Sequence, residues 1–399
     1  MNNTSSMSKE SNESIPFRRP SRPDPTASPM VIRLKAGKTP KKRLKADELR
    51  RASAKALAYS NTIRWTDGDT ARTTIFRDAT AEVWCAAGVE AVMSRLVRSD
   101  KPLFTAMKRP SGRTRWVLTP LGKEFVGLLG PNGGFRSVIQ EFDQHAFHPL
   151  IDLFWKHAAP LSALHHKLSF PGDVEAVIAC AEAIRKEAAT KAFRKRRSNH
   201  IKPVRQNTES LLTYIDGLFD RWGRLLVIRL DVGYKRDFLK GAGDAMIDYT
   251  QVREHREAFL DYLRSDAFPS VLRGFAWSLE MGRTASFHYH WLLFIDGHES
   301  QQDVALARAL GEHWEHVITE GKGRYYNCNA DDHPRRGVGM INYWNSERME
   351  ALKEVVAPYL TKQDYLIRTK VEDGKTFSHG RLPLTPPKSG RPRKFVQLD

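Results

Sequence analysis

The sequence predicts an α+β protein, and three observations carry that expectation. A mainly helical first half gives way to strand-like runs with period-two patterning, two of those runs are close enough to form an antiparallel hairpin, and stretches with helical apolar spacing lie around them. The chain has 399 residues, 41% of them hydrophobic, which is enough for a sizeable core and more than one domain.

Residues 1–46 mix Ser, Pro, Asn and basic residues and end near Lys38–Thr39–Pro40–Lys41–Lys42–Arg43–Leu44–Lys45, the composition of a disordered basic arm. Such an arm is either a non-specific phosphate contact or a solvated tail. Residues 47–197 read as a mainly helical region without assignable chemistry, with helices expected over 79–96 and 174–192. Between them 114–122 suggests a short strand and turn, and Gly130–Pro131–Asn132–Gly133–Gly134 a loop. The adjacent His165 and His166 lack an acidic partner in sequence and read as surface or core detail. Arg194–Lys195–Arg196–Arg197, followed by Ser198 and Pro203, suggests a helix end running into a linker, with a second domain over 198–385. Residues 386–399 form a basic, Pro-rich tail that is expected to be extended and to touch nucleic-acid backbone.

Within 198–385, an amphipathic helix over 207–219 feeds a strand over 225–232, where Arg229 and Asp231 share one face with Val227. That face is either an ion-paired surface or one wall of a charged cleft. A helix over about 250–263 precedes a second strand, 272–280, which is apolar until it ends in Glu280. A short connection leads to the most apolar run of the chain, Phe287–His288–Tyr289–His290–Trp291–Leu292–Leu293–Phe294–Ile295. Alternation places His288 and His290 on one face of that strand. Burying two unpartnered imidazoles is costly, so a ligand role outweighs that of satisfied core histidines. Adjacent antiparallel strands lie about 5 Å apart, so Glu280 is positioned to join them. Two imidazoles and one carboxylate leave positions open on a divalent metal, as a catalytic site requires; the residue types suit Zn²⁺, Mn²⁺ or Fe²⁺, and Mg²⁺ with substrate oxygens.

A helix over 303–319 and a strand over 337–343 follow, then a helix capped by Asn345 or Ser346 that Pro358 must kink or restart. Tyr359 and Lys362 are three apart and share a face, which sets a phenol beside an ammonium. The bland reading of that pair is a packed Tyr with a solvated Lys.

The net charge of +18 favours a polyanionic partner, nucleic acid or an anionic membrane surface. No apolar run reaches bilayer length, and the polar start lacks a signal-peptide core, so a cytoplasmic location without membrane insertion is the expectation. Cys85, Cys180 and Cys328 are too few and too scattered for a disulfide framework or a Cys-rich zinc site.

Taken together, the Arg229–Leu230–Asp231 strand, Glu280, His288–Tyr289–His290 and Tyr359–Leu360–Thr361–Lys362 resemble the HUH endonucleases that initiate rolling-circle replication. More narrowly, the segment from about Asn207 to Arg393 resembles the YagK/YfjJ C-terminal domain family, which is similar to the replication initiators of filamentous phages (inoviruses). The resemblance implies an antiparallel sheet with flanking helices and the His strand near its centre. It implies Mg²⁺ or Mn²⁺ on His288, His290 and Glu280, and attack by Tyr359 on single-stranded DNA at a replication origin, with Lys362 in support. The products would be a 5′-phosphotyrosyl enzyme and a free 3′-OH, rejoined later in a strand transfer. Arg229 and Asp231 would lie beside the cleft as DNA contact and orienting group. Arg324, Arg335 and Arg336, interleaved with Tyr325, Tyr326, Tyr343 and Trp344, are further DNA-binding candidates or a solvated cluster beside core aromatics. Tyr365 is the substitute nucleophile. With no phosphate-cradling loop for a fused helicase, host helicase and polymerase would be partners. The alternatives are a non-cleaving DNA-binding regulator derived from such an initiator and a zinc-dependent hydrolase.

Overall fold

The computed structural model describes residues 45–383 apart from 61, 68–69, 76, 113, 130–144, 164–170, 236–246, 283–285, 332–335 and 372–373. The arm before residue 45, the 130–134 loop, His165, His166, Arg335 and the 386–399 tail therefore lie outside the described residues. Those that are described combine helices with antiparallel sheet.

The first half runs α1 (Ala46–Ser60), β1 (Thr62–Asp67), β2 (Thr70–Ile75), α2 (Arg77–Leu96), β3 (Phe104–Lys108), β4 (Thr114–Leu118), α3 (Pro120–Leu129), β5 (His145–Phe147), α4 (Pro149–Ala158) and α5 (Pro171–Ala188). The expected helices at 79–96 and 174–192 and the strand at 114 correspond to α2, α5 and β4. The expected linker near Ser198 does not: α6 is one helix from Lys191 to Arg221 with Pro203 inside it. Proline there removes the partner of the Asn199 carbonyl, a cost of about 3 kcal/mol in a helix interior. What carries the helix past it is a buried stripe at helical spacing, Phe193, His200, Val204, Thr208, Leu211, Ile215 and Leu218.

The second half continues with β6 (Arg224–Tyr234), α7 (Tyr249–Tyr262), β7 (Leu272–Gly282), β8 (Ser286–Asp296), α8 (Asp303–His313), β9 (Gly323–Asn327), β10 (Gly339–Asn342), α9 (Ser346–Ala351), α10 (Ala357–Thr361), β11 (Ile367–Thr369) and β12 (Phe377–His379). A 6-stranded sheet has the order β10-β6-β8-β7-β12, with β9 also paired to β6. β8 is thus central, and every pairing is antiparallel.

Alternation along β8 divides its side chains between two cores. Tyr289, Trp291, Leu293 and Ile295 pack with α7 and α8 residues such as Phe259 and Leu310. Leu292 and Phe294 pack on the other face with α6 and α10 residues such as Leu218 and Leu360. Burial of a side chain like Leu293 or Phe294 contributes roughly 1.5–3 kcal/mol, and these rows lock the register because a one-residue slip would invert both faces. His288 and His290 continue the Leu292 face beyond its apolar part.

A third core belongs to the first half, yet it includes Tyr365, Leu366 and Ile367. β11 pairs with β5, Tyr365 Oη donates to Glu90 Oε1 at 3.0 Å, and Leu366 N donates to Ser53 Oγ at 3.1 Å. The helical region therefore grips the chain immediately after the Tyr359–Lys362 pair. Pro358 sits in the first turn of α10 after a π-helical stretch, Leu352–Val356, so the helix restarts there.

Candidate metal centre

The register of three adjacent strands assembles the site. In β8, His290 faces Asp231 of β6 and Ser278 of β7; two residues away, His288 faces Gly233 of β6 and Glu280 of β7. These two cross-strand rows put two carboxylates, Glu280 and Asp231, and both imidazoles on one face. Glu280, His288 and His290 are buried, and one ligand atom of each lies within 4.8 Å of the others, close enough to share one ion.

Distances fix the individual roles. Glu280 Oε1 lies 3.0 Å from His290 Nε2, and Oε2 lies 3.3 Å from His288 Nε2. His290 Nδ1 is 2.7 Å from Asp231 Oδ1. Asp231 lies on the Nδ1 side of the His290 ring and Glu280 on its Nε2 side, the arrangement by which an outer carboxylate orients a ligand imidazole and raises its basicity. Burial alone would lower the pKa of His290, but the flanking carboxylates Asp231 and Glu280 outweigh it and raise the pKa to about 9. Burial would likewise raise Glu280, and the two imidazoles reverse that, holding it below the ordinary value.

Gly233 has a steric role here. A Cβ at this position would lie 3.0 Å from His288 Cβ and 3.4 Å from Arg324 Nη2. Its hydrogen leaves room for His288 and brings the Arg324 guanidinium alongside the same face. Arg324 is held by carbonyls, donating to Tyr234 O at 2.9 Å and Arg64 O at 2.7 Å.

Tyr359 approaches through Arg229. The Arg229 guanidinium sits 4.6 Å from the centre of the Tyr359 ring, and its Nη2 is 3.3 Å from Asp231 Oδ2. A continuous series of contacts thus runs from Tyr359 through Arg229 and Asp231 to His290. Tyr359 is half-buried and Lys362 buried at the end of α10, which is pinned to α6 by Thr361 Oγ1 and Thr208 Oγ1 at 2.8 Å.

Other expected residues fall elsewhere. Tyr365 is not available as a substitute nucleophile: it is fully buried in the first-half core, bonded to Glu90, with its phenol pKa pushed up first by burial and then by that carboxylate. Tyr325 and Tyr326 are buried rather than open stacking platforms, Tyr326 Oη donating to Asp331 Oδ1 at 2.5 Å, whereas Trp344 is exposed. Arg336 donates to Asn329 O at 2.7 Å and to Asp303 Oδ2 at 3.1 Å. Arg335 is outside the described residues.

Sequence reasoning missed Asp364. This carboxyl is pushed up to about 6 by burial, with the Glu280 charge adding to the effect and Arg368 and Thr376 opposing it. Only its position two residues after Lys362 marks it in sequence, and that is no signal, because the return of the chain toward Glu280 is a tertiary event.

Among the described residues no helix is long and apolar enough to cross a membrane. Residues 186–368 match the family model of the YagK/YfjJ C-terminal domain. The match starts upstream of the segment expected from the sequence, taking in all of α6, and ends before β12; it contains Glu280, His288, His290, Tyr359 and Lys362. No curated protein and no solved structure matches the chain.

Proposed function

We propose, taking the match over 186–368 as premise, that the chain is an HUH-type endonuclease and strand transferase that nicks single-stranded DNA through Tyr359. The observation that carries this reading is the convergence of Glu280, His288 and His290 on the sheet face that Tyr359 reaches through Arg229. A buried two-imidazole, one-carboxylate set with an outer carboxylate on one imidazole suits a divalent ion with open positions, Mg²⁺ or Mn²⁺ in this reading. When bound, the ion would polarise the scissile phosphate and stabilise charge on its oxygens.

The chain's own groups do the rest. The Tyr359 phenol gives its proton to solvent and its oxygen attacks phosphorus; the O–P bond to tyrosine forms as the bond to the 3′ oxygen breaks, and that oxygen leaves and takes a proton back from solvent. The phosphoryl group is retained as a 5′-phosphotyrosyl ester, so a 3′-OH can later reverse the step without a nucleotide cofactor. Arg229 over the ring and Lys362, three residues further on, supply positive charge for the phosphate under attack. Arg324 beside His288 lies where a phosphate approaching the site would meet it.

The test is incubation with single-stranded oligonucleotides carrying candidate origin sequences and Mn²⁺, scored for adducts that survive denaturing electrophoresis. Wild type forms the adduct and Tyr359→Phe does not. An adduct of equal yield from Tyr359→Phe overturns the assignment of the nucleophile. Salt-sensitive DNA binding with no adduct under any metal would make the chain a non-cleaving regulator.

A further inference from the structure

The edge of the sheet at β7 and β12 carries a second feature. A cleft of about 850 Å³ opens between α7, the start of β7 and the segment around β12. Its cationic lining is Arg253, Arg256, Arg264, Arg273, Lys375 and Arg381, against Glu257 as its acidic residue. Phe275 and Trp277 line it from the face of β7 opposite Glu280, while Tyr214 and His379 line it from around the sheet edge, and Glu280, His288 and His290 are not part of its wall.

Two of these cations are committed within the fold. Arg256 pairs with Glu257 and lies 4.5 Å over Trp277, and Arg273 is 2.7 Å from Asp296. Arg253, Arg264, Lys375 and Arg381 are different: each is exposed, and none forms an ion pair with a described residue. Arg264 lies 5.2 Å over the half-buried Phe275 ring, a cation on an aromatic platform. Half-buried Tyr249 supplies another ring, packed so closely on Gly374 that a Cβ there would collide with its hydroxyl.

We infer that this cleft is a binding track for single-stranded nucleic acid, separate from the metal centre. Four cations oriented to one cleft hold successive phosphates, and the Arg264–Phe275 and Tyr249 platforms accept unstacked bases, the combination that distinguishes single strands from a bare polyanion. Lys375 and Arg381 lie beyond residue 368, so half of these four cations belong to a part of the chain outside the family match. The track shares its ligand class with the reading above but needs neither metal nor Tyr359.

The experiment uses the full chain, a fluorescein-labelled oligo-dT 20-mer and chelator, so that cleavage plays no part. Arg253, Arg264, Lys375 and Arg381 are all changed to Glu; the control carries Glu at the exposed Lys55, Lys123, Lys186 and Lys195, giving the same net charge. The cleft variant is expected to bind at least about tenfold more weakly, with the log–log salt slope shallower by about 0.7 for each phosphate no longer neutralised, while the control stays within about threefold of wild type. Matching melting curves establish that both variants are folded. Equal weakening in both variants overturns the inference in favour of a general charge effect, and unchanged affinity of the cleft variant also overturns it. If the cleft variant loses binding to phosphatidylglycerol vesicles but not to the oligonucleotide, the surface serves a membrane and the inference fails. Absence of a phosphotyrosyl adduct leaves this test untouched.

Discussion

Among the described residues, two buried pairs of histidine rings have nearly the same geometry. His288 and His290 lie with centroids 5.0 Å apart and planes at 89°; His148 and His200, in the first-half core, lie 5.3 Å apart at 84°. Their neighbours differ. The first pair faces Glu280 and Asp231. The second has Arg197 and Arg368 nearby and backbone groups for company: Leu150 N donates to His148 Nδ1, and His200 Nε2 is 2.9 Å from the Tyr365 carbonyl. Burial and then cations push His200 down to about 4, and burial, His200 and Arg197 hold His148 well below the ordinary value. His290 moves the other way, to about 9. Ring pairing therefore says little about function; a carboxylate within reach makes the first pair a candidate ligand set.

The largest expected effect tests that difference directly. His290→Ala should abolish measurable Mn²⁺ binding in titration calorimetry, whereas His148→Ala should leave it within about twofold; equal losses would mean the metal group has been misassigned.

Next in size is a pH effect confined to the second pair. His200 is neutral in the folded state, so its contribution is present above the unfolded value of about 6.5 and is lost as pH falls from there through about 4. A shift of this size corresponds to roughly 3 kcal/mol. Urea unfolding at pH 7 and pH 4 should therefore show wild type losing about 3 kcal/mol more than His200→Gln. Parallel losses would place the acid sensitivity elsewhere.

A smaller change probes the outer carboxylate. Asp231→Asn retains the shape but not the charge opposite His290 Nδ1, and metal affinity should drop by about 10–100-fold. An unchanged affinity would reduce Asp231 to a spectator.

The second histidine pair also gives the first half a place in the molecule, because it lies around the segment that follows α10. His200 bonds the Tyr365 carbonyl, the His148 ring lies 5.0 Å from the Tyr365 ring, and Glu90 takes the Tyr365 hydroxyl. Glu90 is itself fixed by Ser94 Oγ at 2.7 Å and Arg50 Nη1 at 3.0 Å. This buried network holds the exit of the helix bearing Tyr359, so the region that offered no chemistry in sequence is the mount of the proposed nucleophile.

What the sequence determined by itself is what depends on local periodicity. His288 and His290 share a face because strand side chains alternate, Glu280 closes an apolar run one short connection earlier, and Tyr359 and Lys362 are three residues apart. Each statement needs only a repeat of two or of 3.6 residues. The basic stretch 194–203 misled for a related reason: Pro203 and a charge cluster look like a boundary, while the apolar stripe that continues through them is sparse enough to be overlooked.

Only the tertiary structure decided the rest. Tyr365 differs from Tyr359 by six positions in the chain, yet one ring lies under Arg229 and the other in a separate core. Asp364 meets the field of Glu280, Gly233 clears space beside His288, and Arg264 and Arg381 come to one cleft from opposite sides of β7 in the chain. These relations join residues tens to hundreds of positions apart, and no local repeat encodes them. They follow from which faces the sheet and helices bury against one another, and that choice is made by the packing of the whole chain.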